Sequence, residues 1–73
     1  MDEMSWRARL ARGNINILNI DDERWYYEFM YHPRPGQVKW CKTFLEVKRG
    51  RSLEAVAQEL EREVLRLRKE LER

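Results

Sequence analysis

The most regular pattern in the chain lies near its C-terminal end. Leu53, Ala57, Leu60, Val64, Leu67 and Leu71 recur at alternating spacings of four and three, the stripe that places apolar side chains on one face of a helix. Ser52 stands where an N-cap is wanted, and Glu54 falls in the first turn, where the helix dipole favours an anion. No Gly or Pro interrupts residues 51–73. The pattern predicts a helix over about 52–72, ~31 Å long at ~1.5 Å per residue.

The period changes upstream. Trp25, Tyr27, Phe29 and Tyr31 alternate with Tyr26, Glu28, Met30 and His32. Period two with this aromatic content reads as a strand, over about 24–32. Pro33-Arg34-Pro35-Gly36 follows, a hairpin turn with two residues that cannot donate a backbone hydrogen bond and a glycine free to take positive φ. Val38, Trp40, Lys42, Phe44 and Glu46 then alternate with Lys39, Cys41, Thr43, Leu45 and Val47, a strand over about 37–47. Asn14–Ile20 reads as a further strand, about 14–20, with Asp21-Asp22 turning the chain. The adjacent apolar pair Ile17-Leu18 predicts a bulge or an early end there. The first 13 residues are less determined. Trp6, Ala8 and Leu10 alternate with Ser5, Arg7, Arg9 and Ala11, which fits an edge strand, a single helical turn or a basic N-terminal arm.

These elements define an α+β fold, a three- or four-stranded antiparallel sheet packed by one long C-terminal helix. Residues 14–73 form a single small domain, and 1–13 add an arm or an edge strand. The core draws on Trp25, Tyr27, Phe29 or their neighbours, with Val38, Trp40, Phe44 or Leu45, against Leu53, Val56, Leu60 and Val64. Both faces of 25–31 are aromatic, so either face fits as the inner one. A four-stranded sheet is ~19 Å wide. The helix outreaches it unless it runs along the strands, and Leu67 and Leu71 then overhang as a partner surface or pack on the N-terminal segment.

Length and composition narrow the function. A chain of 73 residues holds one domain. With one cysteine it has no disulfide of its own, and Cys41 with His32 does not make a structural zinc site. No segment approaches the ~20 apolar residues of a membrane span, and no leader pattern is visible. The reading is a small intracellular, cytoplasmic interaction module that is not an enzyme, with no cofactor, no metal and no membrane partner.

The formal net charge is only +2, but it is unevenly spread. Residues 1–20 sum to +1, 21–33 to −3, 34–51 to +5 and 52–73 to −1. The basic parts are the hairpin region and the N-terminal segment. His32, before Pro33, reads as a surface histidine. Cys41 reads as a small packed hydrophobe, with the neighbouring lysine giving it a minor redox alternative. Asp21, Asp22 and Glu23 read as a solvated turn, since their spacing fits no EF-hand loop.

Basic residues interleaved with aromatics suit phosphates and stacked bases. If Lys42 projects from its strand, Trp40 and Phe44 share its face, and that face cannot be both covered core and open platform. The basic surface is therefore placed on the hairpin turn and the linker, at Arg34, Lys39, Lys48, Arg49 and Arg51, facing RNA or an acidic protein. Trp6, Arg7, Arg9 and Arg12 form a second candidate contact, for a protein partner. A sheet with a C-terminal helix also fits a small nucleic-acid-binding module that uses a basic hairpin.

Over its whole length the chain resembles the small RNA-polymerase-binding transcription regulators of lytic Xanthomonas phages. The resemblance rests on the size, the start MDEMSWRARLARGNINILNI, the strand WYYEFMYHPRPG and the end LEAVAQELEREVLRLRKELER. It implies a protein that binds the N-terminal part of the largest subunit of host RNA polymerase. It further implies inhibited initiation with loss of the σ factor, and terminator read-through helped by the elongation factor NusA. Nascent RNA is the further partner that read-through suggests. No motif assigns those contacts to particular residues.

Overall fold

The structure, a computed structural model, describes residues 3–72. Met1, Asp2 and Arg73, the outermost residues of segments 1–13 and 14–73, lie outside the described residues. The order of elements is α1 (Glu3–Arg12), β1 (Ile15–Ile20), β2 (Arg24–Tyr31), β3 (Lys39–Glu46) and α2 (Leu53–Leu71). The strands form one antiparallel sheet in the order β1-β2-β3. The α+β arrangement and the C-terminal helix are as the patterning predicts, with element ends within two residues.

The segment before residue 13 is the main departure. It is a ten-residue helix, neither an arm nor a fourth strand. Residues 3–12 contain no β-branched side chain, and Ala, Leu and Arg favour helix. Trp6 and Leu10 are one turn apart, so the positions that look alternate also share a helical face. Gly13 and Asn14 end the helix: Gly13 N donates to the Arg9 and Leu10 carbonyls. Asn14 takes φ 60°, the left-handed conformation that asparagine tolerates.

Both helices cover the same face of the sheet. The core consists of Trp6 and Leu10 of α1, Ile15, Trp25, Tyr27 and Phe29 of the sheet, and Val56, Ala57, Leu60 and Val64 of α2. Trp6 meets Trp25 with ring centroids 5.1 Å apart, worth about 0.5–1.5 kcal/mol beyond the area buried. The register passes smoothly from Ile15↔Phe29 to Ile17↔Tyr27, then shifts before Asn19↔Tyr26. The bulge expected at Ile17-Leu18 is this shift. It turns Leu18 out to solvent and returns Ile20 to the packed side.

α2 lies along β2. Its N-terminal Leu53 and Val56 border the same cleft as Trp25. Near its other end Arg68 Nε donates to the Met30 carbonyl at 2.9 Å, and Glu72 accepts from His32 N at 2.7 Å. Nineteen helical residues span ~28 Å and eight strand residues ~26 Å, so the helix matches the strand it covers. Of the two positions left open at the end of the helix, Leu67 packs against the core and Leu71 stays exposed. Leu53, expected in the core, is 41% exposed, and Val56 holds the first buried turn instead. Ser52 caps α2 by accepting from Ala55 N at 3.1 Å, as its position predicts.

Candidate functional site: the open face of the sheet

Covering one side of a three-stranded sheet with two helices leaves the other side to solvent. Because paired residues share a face, the register names its occupants. Arg24↔Glu46, Tyr26↔Phe44, Glu28↔Lys42 and Met30↔Trp40 are the outward pairs of β2 and β3. Trp40 is 46% and Phe44 45% exposed, and Val38 just before β3 is more so. Tyr26 and Phe44 have ring centroids 5.9 Å apart. The Arg24 guanidinium lies 4.9 Å from the Phe44 ring centroid, and its hydrogen bond with the Tyr26 side chain, its largest influence, raises its pKa above the ordinary value.

On this face Lys42 stands between the two aromatics of β3, Trp40 and Phe44, while Lys39 lies on the side of Cys41 and Thr43. The question of which side of β3 is core is settled by Trp25, Tyr27 and Phe29. Cys41, Thr43 and Leu45 share their side, and Cys41 and Leu45 pack against the core. Trp40 and Phe44, entertained as core residues, are surface residues.

The structure separates the basic side chains into those in use and those at liberty. Arg9 Nη1 lies 2.9 Å from Glu54 and its Nε 3.0 Å from Glu61. This clamps α1 to α2, and the hydrogen bond to Glu54 is the chief cause of a raised Arg9 pKa. Arg51 pairs with Glu59, and Arg66 with Glu63 and Glu70. Arg68 donates to the Met30 and Gly13 carbonyls. Among the described residues, Arg34, Lys39, Lys42, Lys48 and Arg49 have no acidic partner. All five lie on β3 or the turns flanking it; Arg12 of α1 and Arg62 and Lys69 of α2 are likewise without an acidic partner among the described residues.

The residues expected to bind RNA are therefore not one patch. Arg34 and Lys39 sit at one end of β3, and Lys48 and Arg49 at the other, with ~26 Å of strand between them. Arg51 is held back against α2 by Glu59 and the Ala55 carbonyl. Lys42, with Trp40 and Phe44 on either side, bridges the two ends. Sequence reasoning passed over Tyr26 and Arg24, and weighed the face of Lys42 only to move the basic surface to the turn and linker. The alternation of Trp40, Lys42 and Phe44 was the available signal, and only the position of both helices on one side decides its use.

The proposed protein-contact set also divides. Trp6 is 1% exposed and packs against Trp25, so it offers no surface to a partner. Arg9 is engaged by α2. Arg7 and Arg12 remain on the solvent side of α1, with the Arg7 guanidinium 4.7 Å from the Trp6 ring centroid.

The other titratable candidates have structural work. Asp21 Oδ1 accepts from Glu23 N at 2.8 Å and Arg24 N at 2.6 Å, which closes the β1–β2 turn and lowers its pKa. His32 Nδ1 lies 2.9 Å from the Gln37 carbonyl across the β2–β3 turn. Gly36 takes φ 81° in that turn, a conformation that strains any residue with a Cβ. Among the described residues no cluster of His, Cys, Asp and Glu is arranged to hold a metal ion, and no helix is long and apolar enough to cross a membrane.

No protein-family model matches the chain, and neither a curated protein nor a solved structure matches it significantly.

Proposed function

We propose that the protein is a transcription regulator that acts by binding bacterial RNA polymerase, inhibiting initiation through release of the σ factor and promoting terminator read-through. The observation that carries a binding role is the two-sided build: one side of the sheet is closed by both helices, while the other leaves Trp40 and Phe44 exposed and Tyr26 half-buried, beside cations with no acidic partner among the described residues. A contiguous exposed aromatic surface on so small a domain marks a site for a macromolecule. The polymerase as partner comes from the whole-chain resemblance, and the N-terminal part of its largest subunit is the expected contact.

A regulator of this kind works by differential affinity. It changes the outcome of initiation only as far as it binds σ-free polymerase better than the holoenzyme. A tenfold preference amounts to about 1.4 kcal/mol, within the reach of a few side chains. Arg7 and Arg12, on the far side of the molecule from the open sheet face, are assigned to the polymerase contact. The test is retention of nuclease-treated polymerase on the immobilised chain, followed by promoter run-off with and without added σ factor. Retention weakened by the double variant Arg7→Glu/Arg12→Glu supports the reading. Absence of retention overturns it.

A further inference from the structure

We infer that the open face of the sheet is a binding site for single-stranded nucleic acid, RNA in the first instance, running along β3. The ligand class follows from charge and shape together. Lys42 on the open face, with Arg34, Lys48 and Arg49 in the turns beyond the two ends of β3, places cations along the strand, and none has an acidic partner among the described residues. An unneutralised row of cations fits a polyanion that tracks the same line.

The rings between those cations say which polyanion. Trp40 and Phe44 point out of the same face of one strand, four residues or ~13 Å apart. Flat exposed rings take the faces of bases, and base faces are available only where the strand is single; a duplex hides them in its stack. Trp40 and Phe44 with its neighbour Tyr26 make two platforms, and Lys42 lies between them to meet the intervening phosphate. Two acids share this face, Glu28 opposite Lys42 in the register and Glu46 at the end of β3, and both have other partners. Glu28 is on β2 and accepts from Asn16 Nδ2 at 3.1 Å, and Glu46 sits opposite Arg24 in the register. The site is short, about four nucleotides, at the low end for such surfaces.

This inference does not depend on the polymerase reading, since it concerns the isolated chain. The probe is a fluorescein-labelled 12-nucleotide single-stranded RNA of mixed sequence, titrated with the chain and followed by anisotropy. A blunt RNA duplex and a single-stranded DNA of the same length serve as comparisons. Binding of the single strands over the duplex is expected. The log–log salt slope should have a magnitude of about 3, as for four or five phosphates neutralised on a single strand. Trp6 and Trp25 are buried, so quenching of tryptophan fluorescence by RNA should come from Trp40 alone. Trp40→Ala should weaken binding about tenfold or more and Lys42→Glu about as much, while Trp40→Phe retains most of it. Both sites are on the surface, and unchanged circular dichroism of the variants separates lost binding from lost fold. The inference is overturned by affinity that does not change in Trp40→Ala and Lys42→Glu, by preference for the duplex, or by no RNA binding at low salt. In that last case, loss of polymerase retention in Trp40→Ala would assign the face to protein.

Discussion

Tyr26 and Phe44 face each other across β2 and β3 with ring centroids 5.9 Å apart, on the side of the sheet that neither helix covers. On the opposite face of β2 itself, Trp25 and Tyr27, the neighbours of Tyr26, are sealed in the core. The alternating aromatics of β2 thus serve two purposes. The inward set holds the helices, and the outward set, with Trp40 and Phe44 of β3, faces solvent as the proposed binding surface. Removing an outward ring should then cost little stability. Phe44→Ala is expected to change unfolding free energy by less than about 1 kcal/mol, checked by urea denaturation, while lowering affinity for whatever the face binds.

The inward set should behave in the opposite way. Trp6 is fully buried against Trp25, and truncating a buried Trp costs about 3–5 kcal/mol. That is a large share of the 5–15 kcal/mol typical of a whole domain. Trp6→Ala is expected to unfold the protein or lower its Tm steeply in a thermal melt. Trp6→Phe should be much milder, because the indole Nε1 has no hydrogen-bond acceptor to lose.

How far these roles are legible in the sequence differs by element. The β2 and β3 alternation and the α2 heptads each hold one dominant period, and the Ile17-Leu18 clash announces the bulge. At Trp6, Ala8 and Leu10 the two periods coincide, because positions 6 and 10 share a face in either a strand or a helix. The deciding facts there are the lack of β-branched residues and the partners Trp25 and Glu54, which lie far along the chain. The open face was hidden for the same reason: Trp40 and Phe44 look like core until α1 is known to join α2 on the far side. The pairing of Arg9 and Arg51 with acids of α2 is likewise invisible in a charge count.

Tyr27 provides a check on the core through pH. Its hydroxyl is buried without a hydrogen-bond partner, and desolvation, with a smaller push from Glu63, raises its pKa to about 12. A group with a raised folded pKa contributes stability that is fully present below its unfolded value, about 10, and is lost as pH rises through 12. Unfolding free energy should therefore fall between about pH 10 and 12. Tyr27→Phe should lose the part of this fall that Tyr27 causes and be as stable as the parent or more so at pH 7, since an unsatisfied buried hydroxyl is removed.

Asp21 has the opposite sign. Backbone N–H groups of Glu23 and Arg24 hold its carboxylate below the usual range, so its contribution is present above the unfolded value of about 3.9 and is lost as pH falls through the lower folded value. Asp21→Ala is expected to destabilise the protein at pH 7 and to flatten the acid limb of the stability profile, measured by denaturation between pH 2 and 6.

The Arg9 clamp joins α1 to α2 through Glu54 and Glu61. These groups are about one-third exposed, so solvent screens both pairs. Arg9→Ala should lower stability modestly in urea denaturation, and less so in 1 M salt. If Arg9 serves the fold, polymerase retention by the folded variant stays unchanged, whereas Arg7→Glu/Arg12→Glu reduces it.

The central claim, that the protein works by occupying RNA polymerase, is tested most directly by gel filtration of the chain with nuclease-treated polymerase core enzyme. The account predicts that the 9.0 kDa chain shifts to the polymerase peak in stoichiometric amount and that added σ factor drives part of it back. Elution of the whole chain at its own position, with core enzyme in excess, would contradict it.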